Sequence, residues 1–293
     1  MMKSATLPQG PGFIEVDGLK LWYTVHGRGP VCLVPSPGWG FSSDLYQRTL
    51  LKLCDDLTLV FIDSRGCGRS QQPLSTNDYR YLDFAKDLEW IRRALGVGKV
   101  WILGHSHAGV MAMRYAADYS NGTAGLLLVG TYAETDAEYN ADVELRKKKR
   151  AHEPWYKEVD WDGFETAQDL TEGLHAALPL YFHNFSKMTQ ALEAIGASTC
   201  SIHPWHGWRD SEGCSVHVLG LLPKIRCPTL LVVGEEDFVC SPMNSKRIQE
   251  LVAGAEMSVI PSCGHFPWLE QPESFFSIIA RFLRRHGHGA PQD

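Results

Sequence analysis

The sequence predicts an α/β fold built on a mostly parallel β-sheet. Short apolar or β-branched runs recur along the chain, and amphipathic helical segments alternate with them. Several of these runs are apolar throughout, which is typical of strands that are buried on both faces of a sheet. Helices on both faces would bury them.

The predicted elements follow one another regularly. The stretch FIEVDGLKLWYTVHG indicates a hairpin that turns at Asp17 and Gly18. An amphipathic helix is expected in YLDFAKDLEWIRRALGV, because its apolar residues recur on one side. Six further strands are expected at PVCLV, LTLVFID, KVWILGH, AGLLLVG, PTLLVVG and EMSVIPS.

The alternation is interrupted once, between residues 133 and 222. This segment has no clear strand and contains helical stretches and aromatic loops. We therefore predict a core domain in two parts, residues 1–132 and 223–286, with a helical cap inserted at 133–222. Residues 287–293 are expected to form a disordered tail.

Composition and charge narrow the function classes. The 293 residues are 44% hydrophobic and carry a formal charge of -6, which argues against a nucleic-acid partner. No apolar window reaches the length of about 18 residues that spans a bilayer. The eight cysteines are scattered, and the stretch CSIHPWHGWRDSEGC fits no common zinc pattern. We expect a cytoplasmic protein that acts on a small molecule without a metal.

A candidate nucleophile lies where the strand KVWIL meets the helix AGVMAMRYAADY. Ser106 stands between Gly104 and Ala108, in a G-x-S-x-A motif that is followed by Gly109. A nucleophile on so tight a turn needs small residues on either side, because larger side chains would collide as strand and helix cross.

Two histidines flank Ser106, and neither is expected to act as its base. Neighbouring side chains of a strand point to opposite faces, so His105 should point away from the Ser106 hydroxyl. His107 opens the helix, where its backbone N–H and the helix dipole favour a developing oxyanion.

The acid and the base are expected further along the chain. For a nucleophile on such a turn, one established chain order is nucleophile, acid, histidine. His265 follows a strand-like run, and Asp237 follows the strand before it. Glu235 and Glu236 are alternatives to Asp237, which is favoured by its position and shorter reach.

These motifs resemble the α/β-hydrolase family, and within it the proline-iminopeptidase-like group. FIDSRGCGRS is very close to the D-x-R-G-x-G-x-S block that follows the fourth strand in that group, and GEEDFVCSP, GHFPWLEQPESFF and LPLYF are also similar. The resemblance covers nearly all of the chain. It implies an eight-stranded sheet, a cap between the sixth and seventh strands, no cofactor, and a triad of Ser106, Asp237 and His265.

The chain departs from the aminopeptidases of that group at two sites. They carry an H-G-G-P-G-like loop and usually a G-G-S-W-G elbow, whereas this chain has VPSPGWG and GHSHAG. The loop must still donate an N–H to the oxyanion, for which Gly38 is the first choice and Trp39 the second. The aminopeptidases also hold the substrate's ammonium with acidic cap residues, and no motif in this cap singles one out.

Aromatic residues are candidates for the pocket wall. They are Tyr181, Phe182, Trp205, Trp208 and Trp268, and the first four also suit a cap core. Two charged residues of FIDSRGCGRS, Asp63 and Arg65, are expected to brace the loops around Ser106.

The predicted activity is hydrolysis of a small ester, lactone or amide through an acyl-enzyme. A proline iminopeptidase-type activity ranks second, because both aminopeptidase loops are altered. Hydrolysis of a carbon–carbon bond, acyl transfer in biosynthesis and a non-catalytic ligand receptor are further alternatives. Epoxide hydrolases and dehalogenases of this fold need an aspartate at position 106, where this chain has serine.

Overall fold

The fold is that of a computed structural model. The residues described are 7–37, 40–161, 163–185, 193, 200–212 and 215–286. Its strands are β1 Gly10–Val16, β2 Leu19–Gly27, β3 Val31–Pro35, β4 Thr58–Ile62, β5 Val100–His105, β6 Thr123–Val129, β7 Thr229–Gly234 and β8 Glu256–Ile260. They form one sheet in the order β1-β2-β4-β3-β5-β6-β7-β8. β2 pairs antiparallel with β1 and β4, and the other pairs are parallel. The predicted α/β sheet is confirmed.

The apolar runs of the sequence form the interior strands. β4, β5 and β7 are buried at every position, because the sheet is covered on both faces. The first two strands are a hairpin whose turn residues, Asp17 and Gly18, have φ angles of 52° and 81°. Both angles are positive, as a two-residue turn between twisted strands requires.

Helices supply the cover on each face of the sheet. Within the described residues they are α1 Asp44–Thr49, α2 Tyr81–Ala94, α3 His107–Asp118, α4 Ala137–Arg150, α5 Ala167–Ala177, α6 Ile202–Glu212, α7 Pro242–Leu251, α8 Pro267–Glu270 and α9 Pro272–His286. Apolar residues of α2, α3 and α7 pack on one face, and those of α1 and α9 pack on the other. None of the helices described is long and apolar enough to cross a membrane.

The segment between β6 and β7, called the inserted segment below, contains α4, α5 and α6. Its two ends run antiparallel: the Val218 N–H donates to the Ala133 carbonyl at 2.9 Å, and the Thr135 N–H donates to the Val216 carbonyl at 3.1 Å. The segment therefore leaves the sheet and returns to it at neighbouring points. The predicted tail, residues 287–293, lies outside the described residues.

The FIDSRGCGRS block is held by two buried charged residues. The Arg65 guanidinium donates to both carboxylate oxygens of Asp87 on α2, at 2.7 and 2.6 Å. Asp63 accepts from the backbone N–H of Ser43 at 2.7 Å and from the Arg69 guanidinium at 2.7 Å. Both residues join neighbouring loops and helices, which agrees with the bracing role predicted for them.

Asp87→Ala should strongly destabilise the protein, because it leaves the Arg65 guanidinium buried without its carboxylate. We expect the free energy of unfolding to fall by about 3–5 kcal/mol in urea denaturation. The control is Asp55→Ala, which removes an exposed partner of Lys52. It should leave the unfolding midpoint unchanged, and equal losses in the two variants would contradict a special role for the buried pair.

Candidate active site

Ser106 occupies a strained turn between β5 and α3. Its φ is 55° and its ψ is -130°, a left-handed backbone conformation that residues other than glycine rarely adopt. A Cβ added to Gly104 would lie 2.6 Å from a backbone carbon of α3, so strand and helix cross where only a glycine fits. The Ser106 N–H donates to the Gly130 carbonyl at 3.0 Å, and the Thr131 hydroxyl donates to the Ser106 carbonyl at 2.7 Å. The end of β6 therefore holds the turn.

Asp237 and His265 form a buried pair at the carboxyl end of the sheet. Asp237 lies in the loop after β7, and His265 lies between β8 and α8. The His265 Nδ1–H donates to Asp237 Oδ2 at 2.7 Å, while Oδ1 accepts from the N–H groups of Val239 and Cys240. With the proton on Nδ1, the lone pair of the imidazole lies on Nε2. The two alternatives to Asp237, Glu235 and Glu236, are exposed.

Two residues around this pair were missed by the sequence analysis. Gly130 follows β6 and has no side chain. A Cβ at this position would lie only 2.9 Å from Asp237 Oδ2. The buried Glu270 carboxylate accepts from the Gly264 N–H at 2.6 Å and from the N–H groups of His183 and Asn184. Burial raises the pKa of Glu270. Both residues stand in quoted motifs, LLLVG and GHFPWLEQP, but neither has a local signal of its role.

His105 lies beside His265, which corrects the expectation that it points away from the site. The two ring centroids are 4.5 Å apart. The His105 Nε2–H donates to the His265 carbonyl at 3.0 Å, and Nδ1 accepts from the Tyr46 hydroxyl at 2.9 Å. Burial lowers the pKa of His105 well below its ordinary value. The alternation rule fails because Ser106 has left the strand conformation, so the two side chains no longer alternate about one plane.

His107 begins α3, and its side chain points toward the inserted segment. Its Nε2 lies 2.9 Å from the Tyr81 hydroxyl, which accepts a hydrogen bond from Trp208 Nε1 on α6 at 2.9 Å. Burial lowers the pKa of His107 to about 3, so the imidazole is neutral. The other predicted oxyanion donors, Gly38 and Trp39, lie outside the described residues.

A cavity opens onto Ser106 and His265. Its remaining wall is contributed by Pro37, Phe41, Leu45, His105, Leu174, His175, Leu178, Tyr181 and Phe266. Leu174, His175 and Leu178 come from α5 and the turn after it, so the inserted segment forms one side. No carboxylate is found among these lining residues, within the part of the chain that is described.

Among the predicted pocket residues Tyr181 lines this cavity, and the others are not part of its wall. The Phe182 ring is fully buried and stacks on Phe266, with centroids 5.0 Å apart. Trp205 packs against other rings of the inserted segment. Trp268 Nε1 donates to the Thr49 hydroxyl at 2.9 Å, so its ring faces α1. Aromatic composition alone does not separate the wall from the layer behind it.

One group of side chains in the described residues offers ligands for a metal ion: Asp237, Cys240 and His265. The described cysteines are free thiols. Cys214, at one end of the stretch CSIHPWHGWRDSEGC, lies outside the described residues.

Glu270→Ala should destabilise the loop that carries His265, because three backbone N–H groups lose their common acceptor. We expect the free energy of unfolding to fall by at least about 2 kcal/mol in chemical denaturation. Glu273→Ala is the matched control, since Glu273 is exposed nearby on α9. A Glu270→Ala variant as stable as the control would show that these hydrogen bonds contribute nothing net.

Comparison with known proteins agrees with this architecture. A match to the α/β hydrolase fold family spans residues 30–272. A proline iminopeptidase from Heyndrickxia coagulans is 26% identical over 93% of this chain and 98% of its own.

Solved structures agree as well. A thermophilic esterase from Thermogutta terrifontis is 26% identical, with a TM-score of 0.70 over 94% of this chain and 99% of its own. An enol-lactonase from Burkholderia xenovorans LB400 shares the fold at 18% identity, with a TM-score of 0.73 over 93% of this chain and 100% of its own. Since the family match covers most of the chain, from residue 30 to residue 272, the chain belongs to the α/β hydrolase fold family.

Proposed function

We propose that the protein is a serine hydrolase that acts through an acyl-enzyme, with Ser106, His265 and Asp237 as its triad. In this mechanism His265 Nε2 takes the hydroxyl proton as Ser106 attacks a carbonyl carbon. Asp237 orients the imidazole and stabilises its cationic form. His265 then protonates the leaving group, and the same histidine activates the water that releases the acid. One observation carries the proposal. The strained Ser106 lines the same cavity as His265, and His265 is hydrogen-bonded to the buried Asp237.

The oxyanion of the tetrahedral intermediate needs hydrogen-bond donors, on the side of the carbonyl that faces away from His265. We assign this role to the His107 backbone N–H, at the first turn of α3, together with an N–H of Gly38 or Trp39. The helix dipole adds to the stabilisation. Removing one such donor typically costs on the order of 3 kcal/mol of transition-state stabilisation.

The substrate is an ester or lactone with an apolar acyl group, small enough for the cavity under the inserted segment. We propose that residues 133–222 act as the cap that selects it. An N-terminal peptidase must balance the substrate's ammonium with an anionic group. The described lining supplies aromatic and aliphatic side chains and no carboxylate, which favours an acyl ester. The activity needs no cofactor in this mechanism, and the cytoplasmic location predicted from the sequence suits it.

Labelling with a fluorophosphonate tests the nucleophile. The wild-type protein should bind the reagent covalently at Ser106, as located by peptide mass spectrometry, and Ser106→Ala should neither label nor hydrolyse short acyl esters above about 0.1% of the wild-type rate. Ser120→Ala, outside the cavity wall, is the matched control and should behave as wild type. Turnover that survives Ser106→Ala, or a wild-type protein that does not label, points to a ligand receptor or another mechanism.

A side-by-side assay of chromogenic substrates tests the substrate class. Short apolar acyl esters should be cleaved with a kcat/KM at least about a hundredfold above that of a free-amine prolyl amide, because the apolar wall stabilises the first and not the ammonium of the second. Preference for the prolyl amide, lost when its amine is acylated, would reverse this ranking in favour of an aminopeptidase.

Tyr46→Phe should slow the chemical step, because the Tyr46 hydroxyl fixes the tautomer of His105 and His105 holds the His265 backbone. We expect kcat to fall by about tenfold with KM nearly unchanged, since a small misplacement of the base affects the transition state most. Steady-state kinetics on an acyl ester measure both constants. The control is Tyr23→Phe on β2, away from the cavity, and equal kinetics for the two variants would remove the positioning role.

A further inference from the structure

A thiol lies inside the candidate active site without a role in acyl transfer. Cys240 is fully buried, three residues after Asp237, and its N–H donates to Asp237 Oδ1 at 2.9 Å. Its side chain lies near the Ser106 side chain. The Cys240 sulfur, a carboxylate oxygen of Asp237 and a ring nitrogen of His265 all lie within 4.8 Å of one another. Three different ligand atoms therefore converge on one point.

This ligand set matches thiophilic divalent cations. Zn²⁺ takes thiolate, imidazole and carboxylate ligands, whereas Mg²⁺ and Ca²⁺ favour sites made of oxygen alone. In a tetrahedral zinc site neighbouring ligand atoms are about 3.4–3.7 Å apart. The three ligand atoms lie within 4.8 Å of one another, so small side-chain movements reach this separation. An ion bound to Nδ1 and Oδ2 would replace the hydrogen bond that joins His265 to Asp237 at 2.7 Å. Water or the Ser106 hydroxyl completes the fourth position.

The charges also balance around such an ion. A divalent cation with one thiolate, one carboxylate and one neutral imidazole has no net charge, so its burial avoids the cost of an unpaired charge. Binding releases the Cys240 thiol proton to solvent, and no group is oxidised or reduced.

We propose that Asp237, Cys240 and His265 form a binding site for a thiophilic divalent cation such as Zn²⁺, and that this ion inhibits the hydrolase. Coordination at His265 Nε2 occupies the lone pair that would accept the Ser106 proton. Coordination at Nδ1 moves the ring proton to Nε2, which then cannot accept another. Either mode removes the base. The inhibition rests on the proposed function, whereas the binding does not.

Metal binding is measured first, without reference to activity. Calorimetric titration of the full chain with Zn²⁺, and the ultraviolet absorption of a Cd²⁺–thiolate bond, should report a site that depends on Cys240. Cys240→Ser should weaken Zn²⁺ binding by at least about tenfold, the lower range for disrupting a metal site. The matched control is Cys227→Ser, which removes a half-buried thiol in the loop before β7 and should bind as wild type.

Inhibition is measured on an acyl ester. Saturating Zn²⁺ should lower the initial rate at least about tenfold, a chelator should restore it, and Mg²⁺ should have no effect. Unchanged Zn²⁺ affinity in Cys240→Ser, or equal losses in Cys227→Ser, would overturn the site. Zn²⁺ binding that depends on Cys240, in a protein without hydrolase activity, would contradict the proposed function and still support the metal site. Full activity with Zn²⁺ bound at Cys240 would overturn the inhibition.

Discussion

The left-handed turn at Ser106 is the constraint on which the site depends. A non-glycine residue in such a conformation costs on the order of 1–3 kcal/mol and persists only where its surroundings hold it. Here the end of β6 holds it, through the Gly130 carbonyl and the Thr131 hydroxyl. Gly130 also leaves the space that the Asp237–His265 hydrogen bond occupies. One strand end therefore holds Ser106 in its turn and leaves room for the Asp237–His265 pair.

Three hydrogen bonds to the backbone at and next to His265 fix its position. Its carbonyl accepts from His105 on β5, its N–H donates to the Tyr181 carbonyl at 2.7 Å, and the preceding N–H is bound by Glu270. Glu270 also binds the chain just after Tyr181, at residues 183 and 184. The loop that carries His265 is thus hydrogen-bonded to the middle of the inserted segment, at residues 181–184, and to the strand that ends just before Ser106. Any movement of residues 181–184 therefore reaches the loop that holds the imidazole.

The parts of the structure that depend on local pattern could be predicted from the sequence. Apolar runs predicted the strands, because burial on both faces leaves a continuous signal. The spacing of small residues predicted the turn at Ser106. The rest depends on contacts between distant segments. Tyr46 bonds to His105, and Glu270 bonds to residues 183 and 184 as well as to the nearby Gly264; nothing near either residue in sequence reveals the distant partners. The side of His105 was predicted wrongly, since the alternation rule holds within a strand and stops at its strained end.

The two histidines beside Ser106 connect it to opposite parts of the protein. His105 is hydrogen-bonded to the His265 backbone and to the Tyr46 hydroxyl, and burial lowers its pKa, which favours the neutral imidazole. His107 meets Tyr81, whose hydroxyl accepts from Trp208 of the inserted segment. Neither imidazole has to carry charge for these contacts, so in the proposed mechanism neither competes with His265 for the proton of the serine. A histidine on each side of the turn therefore serves as a fixed, neutral link, and the proposed proton transfer is left to His265, which is bonded to the buried Asp237.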